Sequence, residues 1–333
     1  MGRFIRALIL TVAFLVIAFF LAWGGMAIWF RLDVGLAAKV LILMAFAVPG
    51  LFALFHLFTQ KPNRALLVYL VAISAVFAWW YTVTPPPQAD WAEDVSRQVT
   101  GTIEGDQLTL SDVREFEWRS NNDFDANWTN RTYDLSQLTG ADMFLSYWGA
   151  PYMAHFIVSF AFADGEHLAW SVEVRREKDG SFSPVEDFFK KNTHVIVAAA
   201  ETDVVGVRSN VRGEDVQLFR LHVSKDTARA LLEEYVKDAN RLAANPRWYN
   251  SLTTNCTTVV LKMLTALGLK VPLDYRLLAN GYLPDYAYEE GILDKDFSIE
   301  ELRSLGQIAE RAKAAGLGEN FSSAIRFGVP APE

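Results

Sequence analysis

Three stretches without a single charged side chain occupy the first quarter of this chain, at residues 7–30, 40–59 and 65–84. About 20 apolar residues cross the hydrocarbon core of a bilayer, so each stretch predicts a transmembrane helix. The first is preceded by Arg3 and Arg6, as a cleaved signal peptide would be, but it is too long for one and lacks a small-residue cleavage pattern. Orientation follows from the bases in the short loops. Arg3, Arg6, Lys61 and Arg64 fall on one side, and Arg31 and Lys39 on the other, which puts the N-terminus in the cytoplasm. Three crossings then leave everything after Pro85 outside. Trp79, Trp80 and Tyr81 suit an interfacial aromatic belt, and His56, near a helix end, is expected to snorkel toward the headgroups.

The net charge of -8 hides two unlike halves. The first 84 residues carry six bases and one acid, so the remainder carries -13. A soluble part that acidic is a poor partner for a phosphate backbone, which sets nucleic-acid binding aside. The chain holds one cysteine, Cys256, so it makes no intrachain disulfide. Outside the cytoplasm a lone thiol is either buried and inert or kept for its reactivity.

After the Pro-rich stretch "TPPPQADW" come some 240 residues without repeats or low-complexity runs, a length that suits one domain with a sizeable core. Helical and strand periodicities are mixed, which predicts an α+β fold. "MAHFIVSFAFADGEHLAWSVEVRRE" reads as a β-hairpin turning at Asp164-Gly165. Its alternation gives an apolar face of Phe156, Val158, Phe160, Phe162, Leu168, Trp170, Val172 and Val174. A register pairing Phe156 with Val174 across a three-residue turn keeps both sets on one side. The opposite, polar face then carries His155, Ser159, Ser171, Glu173 and Arg175, with His155 across from Arg175 and diagonal to Glu173. Further strands are expected at 194–200, 204–209 and 216–223. A helix is expected from Lys225 to Ala244 behind Ser224, ending at Asn245-Pro246. Another starts with Asn255 as N-cap and Cys256 at its first position and closes at Gly268. The tail from Pro272 reads as mostly irregular, with a short helix near 299–315.

Cys256 therefore sits where unpaired N–H groups and the helix dipole favour a thiolate. Of the five histidines, His155 alone lies on a polar strand face two residues in space from an acid, Glu173. A Cys-His-acid set is one arrangement that activates a thiol. The same residues also admit a plainer account, in which Cys256 is a small core side chain and His155 a satisfied strand histidine. Asn255 and Arg175 are weaker neighbours of such a site, with a surface ion pair as the alternative for Arg175. Tyr147 and Trp148 are candidate pocket walls or core aromatics. No zinc signature, P-loop or dinucleotide fingerprint is present, so neither metal nor cofactor is expected.

The stretches "AHFIVSFAFADGEHLAWSVEVRRE", "EDVQLFRL", "RWYNSLTTNCTTVV", "DYRLLANGYLPDYAY" and "FSSAIRFGVP" resemble the Lnb N-terminal periplasmic domain family, over about Val113 to Pro330. The resemblance implies a permuted papain-like cysteine domain, a relative of NlpC-type thiol enzymes; the three transmembrane helices that precede it, read from the uncharged runs, depart from the Lnb enzymes, which carry membrane helices after the domain. The domains expected are 1–84 as membrane anchor, 85–112 as linker and domain entry, and 113–333 as the periplasmic cysteine domain. It implies lipoprotein N-acyl transfer through a cysteine and a histidine, which fall on Cys256 and His155. Glu173 would orient the imidazole, and the acyl group would pass through a thioester on Cys256. The expected partners are the bilayer and a membrane lipid or lipoprotein substrate. The expected place is the bacterial inner membrane, multi-pass, with the C-terminal domain in the periplasm. A cell-wall peptide hydrolase of NlpC type and a non-catalytic membrane module remain the alternatives.

Overall fold

A computed structural model describes residues 2–59, 64–272 and 274–331. It divides into two compact units, Met1–Pro86 with Ser183–Lys191, and Pro87–Phe182 with Asn192–Glu333. Lys61, one of the bases used for orientation, lies outside the described residues.

The first unit holds α1 (Gly2–Arg31), α2 (Leu36–Leu57), α3 (Arg64–Thr82) and the short α4 (Pro184–Phe188). The three uncharged runs are thus helical, and each is long and apolar enough to cross a membrane. They pack through Ile17, Ile28, Phe46, Ala53, Tyr69, Ile73 and Val76. Close approach depends on two glycines. A Cβ on Gly24 would lie 2.5 Å from the Phe46 ring, and one on Gly50 2.7 Å from Leu21. The outer faces stay bare, with Phe4, Leu41, Phe55 and Leu67 exposed, as suits surface meant for lipid rather than water. Lys190 caps the carbonyl end of α3, its Nζ donating to Trp80 O at 2.7 Å and Val83 O at 3.1 Å. Phe189 packs between the Phe30 and Trp80 rings. Nothing in the pattern of 183–191 signals that it belongs with helices a hundred residues upstream.

The second unit is built on ten strands: β1 (Thr100–Glu104), β2 (Gln107–Arg114), β3 (Glu117–Ser120), β4 (Asp123–Asp125), β5 (Trp128–Asp134), β6 (Leu138–Tyr147), β7 (His155–Phe162), β8 (His167–Arg175), β9 (Thr193–Ala199) and β10 (Asp215–Arg220). Its helices are α5 (Glu201–Val204), α6 (Lys225–Ala244), α7 (Cys256–Ala266), α8 (Leu283–Glu289), α9 (Ile299–Gly306), α10 (Ala309–Ala315) and α11 (Phe321–Arg326). The main sheet runs β1-β2-β9-β8-β7-β6-β10, with β5 also on β2, and β3 with β4 forms a separate ribbon. The α+β expectation holds. Residues 85–112, expected as linker and entry, contain β1 and most of β2.

Both faces of the sheet are covered. Phe156, Val158, Phe160, Trp170 and Val172 meet α6 and α7 through Leu232, Tyr235, Ala239, Val260 and Met263. Ile157, Ala169, Val195 and Val197 meet Val204, Ala312, Phe321 and Ile325 on the other side. The hairpin's second face is therefore buried rather than solvated, with Ser159 and Ser171 sealed inside. This burial follows from helices supplied by the tail, which is more regular than its composition suggests. Four helices, α8 to α11, lie beyond Pro272.

Two strand expectations need correction. The hairpin pairs Val158 with Trp170 and Phe160 with Leu168, one pair tighter than a Phe156–Val174 register. Alternation cannot separate registers that differ by two residues, because both keep the same faces. The turn decides. Phe162 N donates to Glu166 O, closing Ala163-Asp164-Gly165, with Gly165 at φ +90 in the last turn position. Residues 204–209, Val-rich and expected as a strand, are instead the end of α5 and a π-helical turn. Asp203 is the pin. Its carboxylate accepts from Arg114, from Trp118 Nε1 and from the Phe116 amide, and the helical turn that follows buries Val204, Val205 and Val207 together. Tertiary demand overrides strand propensity here. The last expected strand, 216–223, ends at Arg220.

Candidate active site

α7 begins where a cap and a thiol meet. Asn255 Oδ1 accepts from the Thr257 and Thr258 amides at 3.0 and 2.9 Å, and Thr258 Oγ1 accepts from the Asn255 amide, a complete capping box. Its Nδ2 donates to Ser251 O at 2.8 Å. Asn255, named as a neighbour of the site, spends its side chain on holding the helix start. That fixes Cys256 at the first helical position, 6 % exposed against β7 and β8.

His155 opens β7. The tightened register, whose last pair is Ile157 with Ser171, brings His155 to Ser171 and Glu173 on β8 rather than to Arg175. His155 Nε2 lies 2.6 Å from Ser171 Oγ and 3.2 Å from Glu173 Oε1, and Ser171 Oγ donates to the same carboxylate oxygen at 2.7 Å. The one hydroxyl proton settles the tautomer. An ionised Glu173 only accepts, so Ser171 donates to it and must accept from Nε2–H. The lone pair of neutral His155 is then on Nδ1, the nitrogen left for the thiol. His155, the Phe156 amide and the Thr257 hydroxyl are the polar groups that act on the Cys256 sulfur.

The electrostatics favour an ion pair. Burial raises the Cys256 thiol, but the His155 hydrogen bond and charge, with the Phe156 amide and Thr257, bring it below its ordinary value. Burial also pulls the His155 imidazole down; the Glu173 carboxylate outweighs this and the opposing Arg208 charge, lifting it to about 9. Glu173, which burial alone would raise, is held well below the usual carboxylate range by Arg208, His155 and Arg114. Thiolate and imidazolium are the forms these shifts select.

Three residues passed over in the sequence complete the arrangement. Ser171 links imidazole and acid. Arg208, on the π-helical turn, donates Nη2 to Glu173 Oε1 at 2.8 Å and Nη1 to Val204 O at 2.6 Å. Asn280 braces the other side, its Nδ2 donating to Ala154 O at 2.7 Å and Thr257 Oγ1 at 3.0 Å, and standing 3.8 Å from Cys256 Sγ. Its Oδ1 accepts the Ala154 amide at 2.9 Å, so one amide ties the residue before His155 to the residue after Cys256. Ser171 stood on the right strand face; Arg208 was hidden in a misread strand, and Asn280 in a segment read as irregular.

The remaining expected residues lie elsewhere. Arg175 turns away, donating to Val95 O at 3.0 Å and Ser96 O at 2.5 Å beneath the Trp91 ring. Tyr147 donates to Gly281 O at 2.7 Å and walls a pocket of about 440 Å³ with Gly149, Pro151, Asp215, Asp285 and Arg303. Trp148 is half exposed, outside that lining. Among the described residues no cluster of His, Cys, Asp or Glu has the makings of a metal site.

Residues 124–281 match the family model described as the Lnb N-terminal periplasmic domain, and Cys256, His155, Ser171, Glu173, Arg208 and Asn280 all fall within the match. No curated protein matches the chain, and no solved structure does. The chain thus pairs a stretch similar to a periplasmic domain family with three helices long and apolar enough to cross a membrane.

Proposed function

From the similarity of residues 124–281 to the Lnb N-terminal periplasmic domain family, we propose that this chain is a thiol-dependent acyltransferase. It is anchored in the inner membrane and acts on lipid or lipoprotein esters. The observation that supports this best is the run of contacts from His155 through Ser171 and Glu173 to Arg208, with Asn280 tying the residue before His155 to the residue after Cys256.

In the first step the Cys256 thiolate attacks the ester carbonyl, forming a C–S bond and placing charge on the carbonyl oxygen. The Cys256 backbone N–H, at the first position of α7, is the donor offered to that charge, the Thr257 and Thr258 amides being taken by Asn255 Oδ1. Collapse breaks the ester C–O bond, and the departing alkoxide takes its proton from the His155 imidazolium. An acyl thioester remains on Cys256. In the second step an amine attacks it while neutral His155 accepts the amine proton at Nδ1; the C–N bond forms, the C–S bond breaks and the thiolate returns. Ser171 and Glu173 keep Nε2 protonated throughout, so the same nitrogen of His155 faces the reacting atoms in both steps.

Mass spectrometry of the full chain purified from its own membranes tests the reading. An acyl mass on the Cys256 peptide, released by hydroxylamine and missing from Cys256→Ser, supports it. Release of stem-peptide fragments from cell wall without any acyl adduct would instead assign the site to amide hydrolysis with water as acceptor. A Cys256 that iodoacetamide alkylates no faster than an ordinary thiol at neutral pH would remove the catalytic reading.

A further inference from the structure

Among the described residues of the second unit, Phe182, Leu269, Leu305 and Phe327 are exposed singly, but six other exposed large apolar side chains fall together in sequence context. Trp148, Tyr152, Met153, Leu252, Tyr275 and Leu278 are each at least 41 % exposed, and they lie in the three segments that lead into His155, Cys256 and Asn280. The first and third segments touch through backbone. Gly281 N donates to Tyr152 O at 3.1 Å, and a Cβ on Gly281 would stand 2.1 Å from Pro151 O. Asn280 carries this contact on to Thr257 beside the thiol, whose helix the turn bearing Leu252 precedes.

Charge sets this rim apart. The sequence after residue 84 is strongly acidic, yet "WGAPYM" at 148–153 and "NSLTT" at 250–254 hold no charged side chain. In the third segment the one charge, Arg276, is paired with Asp274 at 2.8 Å and Glu289 at 2.6 Å. An acidic domain is repelled by anionic headgroups everywhere except at such a place. Isolated surface apolar groups need no explanation, but a cluster of Trp, Tyr, Leu and Met around a site has the composition that sits at the boundary of headgroups and acyl chains.

We propose that the uncharged aromatic rim formed by 148–153, 250–254 and 275–278 is a lipid-docking surface that seats the mouth of the thiol site in the headgroup layer of a bilayer. Trp148, Tyr152 and Leu278 are the inserted side chains, and lipid, rather than a protein partner, is the occupant. The surface does not depend on the acyl chemistry, so an inert thiol would leave it standing.

The test is nitroxide accessibility in the full chain, reconstituted in vesicles of phosphatidylethanolamine and phosphatidylglycerol. Single labels are placed by Trp148→Cys, Tyr152→Cys and Leu278→Cys in a Cys256→Ser background, with Asn122→Cys, exposed on the β3–β4 ribbon, as the aqueous reference. The expected result is a several-fold drop in collision with a water-soluble nickel chelate at the rim, with oxygen collision kept high, relative to the reference. Nickel collision equal to that at Asn122→Cys places the rim in water and overturns the proposal. Loss of both nickel and oxygen collision means protein covers the rim and overturns it as well. The three labels sit on separate side chains, so failure of one variant to fold leaves the others to decide.

Discussion

Two buried carboxylates in the second unit are held by the same kinds of partner and do different things. Glu201 accepts from Ser159 at 2.5 Å and from Arg326 at 2.7 and 2.6 Å, and Arg326 also binds Asp142. Glu173 likewise accepts from a serine and an arginine, Ser171 and Arg208. Around Glu201 the cation is one end of α11, and the cluster bolts the last helix to the sheet. Around Glu173 a third group enters, the His155 imidazole at 3.2 Å, with a thiol beyond it. A buried acid with serine and arginine is a clamp. Insert a titratable ring next to sulfur, and the same clamp sets a tautomer and a protonation state.

That contrast can be broken from either side. The largest effect is expected at His155→Ala, where alkylation of Cys256 at neutral pH and acyl transfer should fall about 10²- to 10⁴-fold, the usual range for loss of a general base. Arg326→Met should act on the fold alone. It strands Glu201 without its cation, leaves Asp142 only Arg220, and costs about 3–5 kcal/mol, the range for breaking a buried pair, read as a drop in the denaturation midpoint, while thiol reactivity per folded molecule stays unchanged. An Arg326→Met protein that folds normally but has lost its reactive thiol would erase the distinction between the two clusters.

The pH dependence sharpens it. Glu201 is held at about 2, with Arg326 overcoming burial, so its stabilisation is present above the ordinary value near 4.5 and is lost as pH falls toward 2. His155 is raised instead, so its stabilisation is present below 6.5 and fades as pH rises through about 9. Acyl transfer should therefore decline above about pH 9, as the imidazolium that protonates the leaving group disappears, while alkylation of the thiolate persists. A Ser171→Ala change, which leaves Nε2 only the longer contact to Glu173, should lower transfer about tenfold, the scale of one hydrogen bond to a charged group. It should also move the alkaline limb, a change that a purely structural role would not produce. The smallest effect is expected at Asn280→Ala, a loss of about 1–3 kcal/mol of stability from the unpaired Ala154 amide and carbonyl, measured by thermal unfolding.

Much of this was written in local pattern. Uncharged runs of bilayer length marked the three helices long and apolar enough to cross a membrane, because hydrocarbon excludes charge and unpaired backbone alike. The cap at Asn255 placed Cys256 at a helix start, Ser224 and Asn245-Pro246 bounded α6, and period-two alternation assigned the faces of β7 and β8; all of these act within a few residues of one another. What the chain could not announce locally was decided by packing. The turn at Gly165 chose one of two registers that alternation left equal, and so brought Glu173 to His155 while Arg175 went to Val95 and Ser96. Asp203, caught by Arg114 and Trp118, wound a valine-rich segment into a helical turn and thereby aimed Arg208 at Glu173. Asn280 reached the thiol only because the tail folds back over it. Side-chain period and capping are properties of neighbours in sequence; which residues share a buried charge is a property of the folded interior, where desolvation makes every partner count.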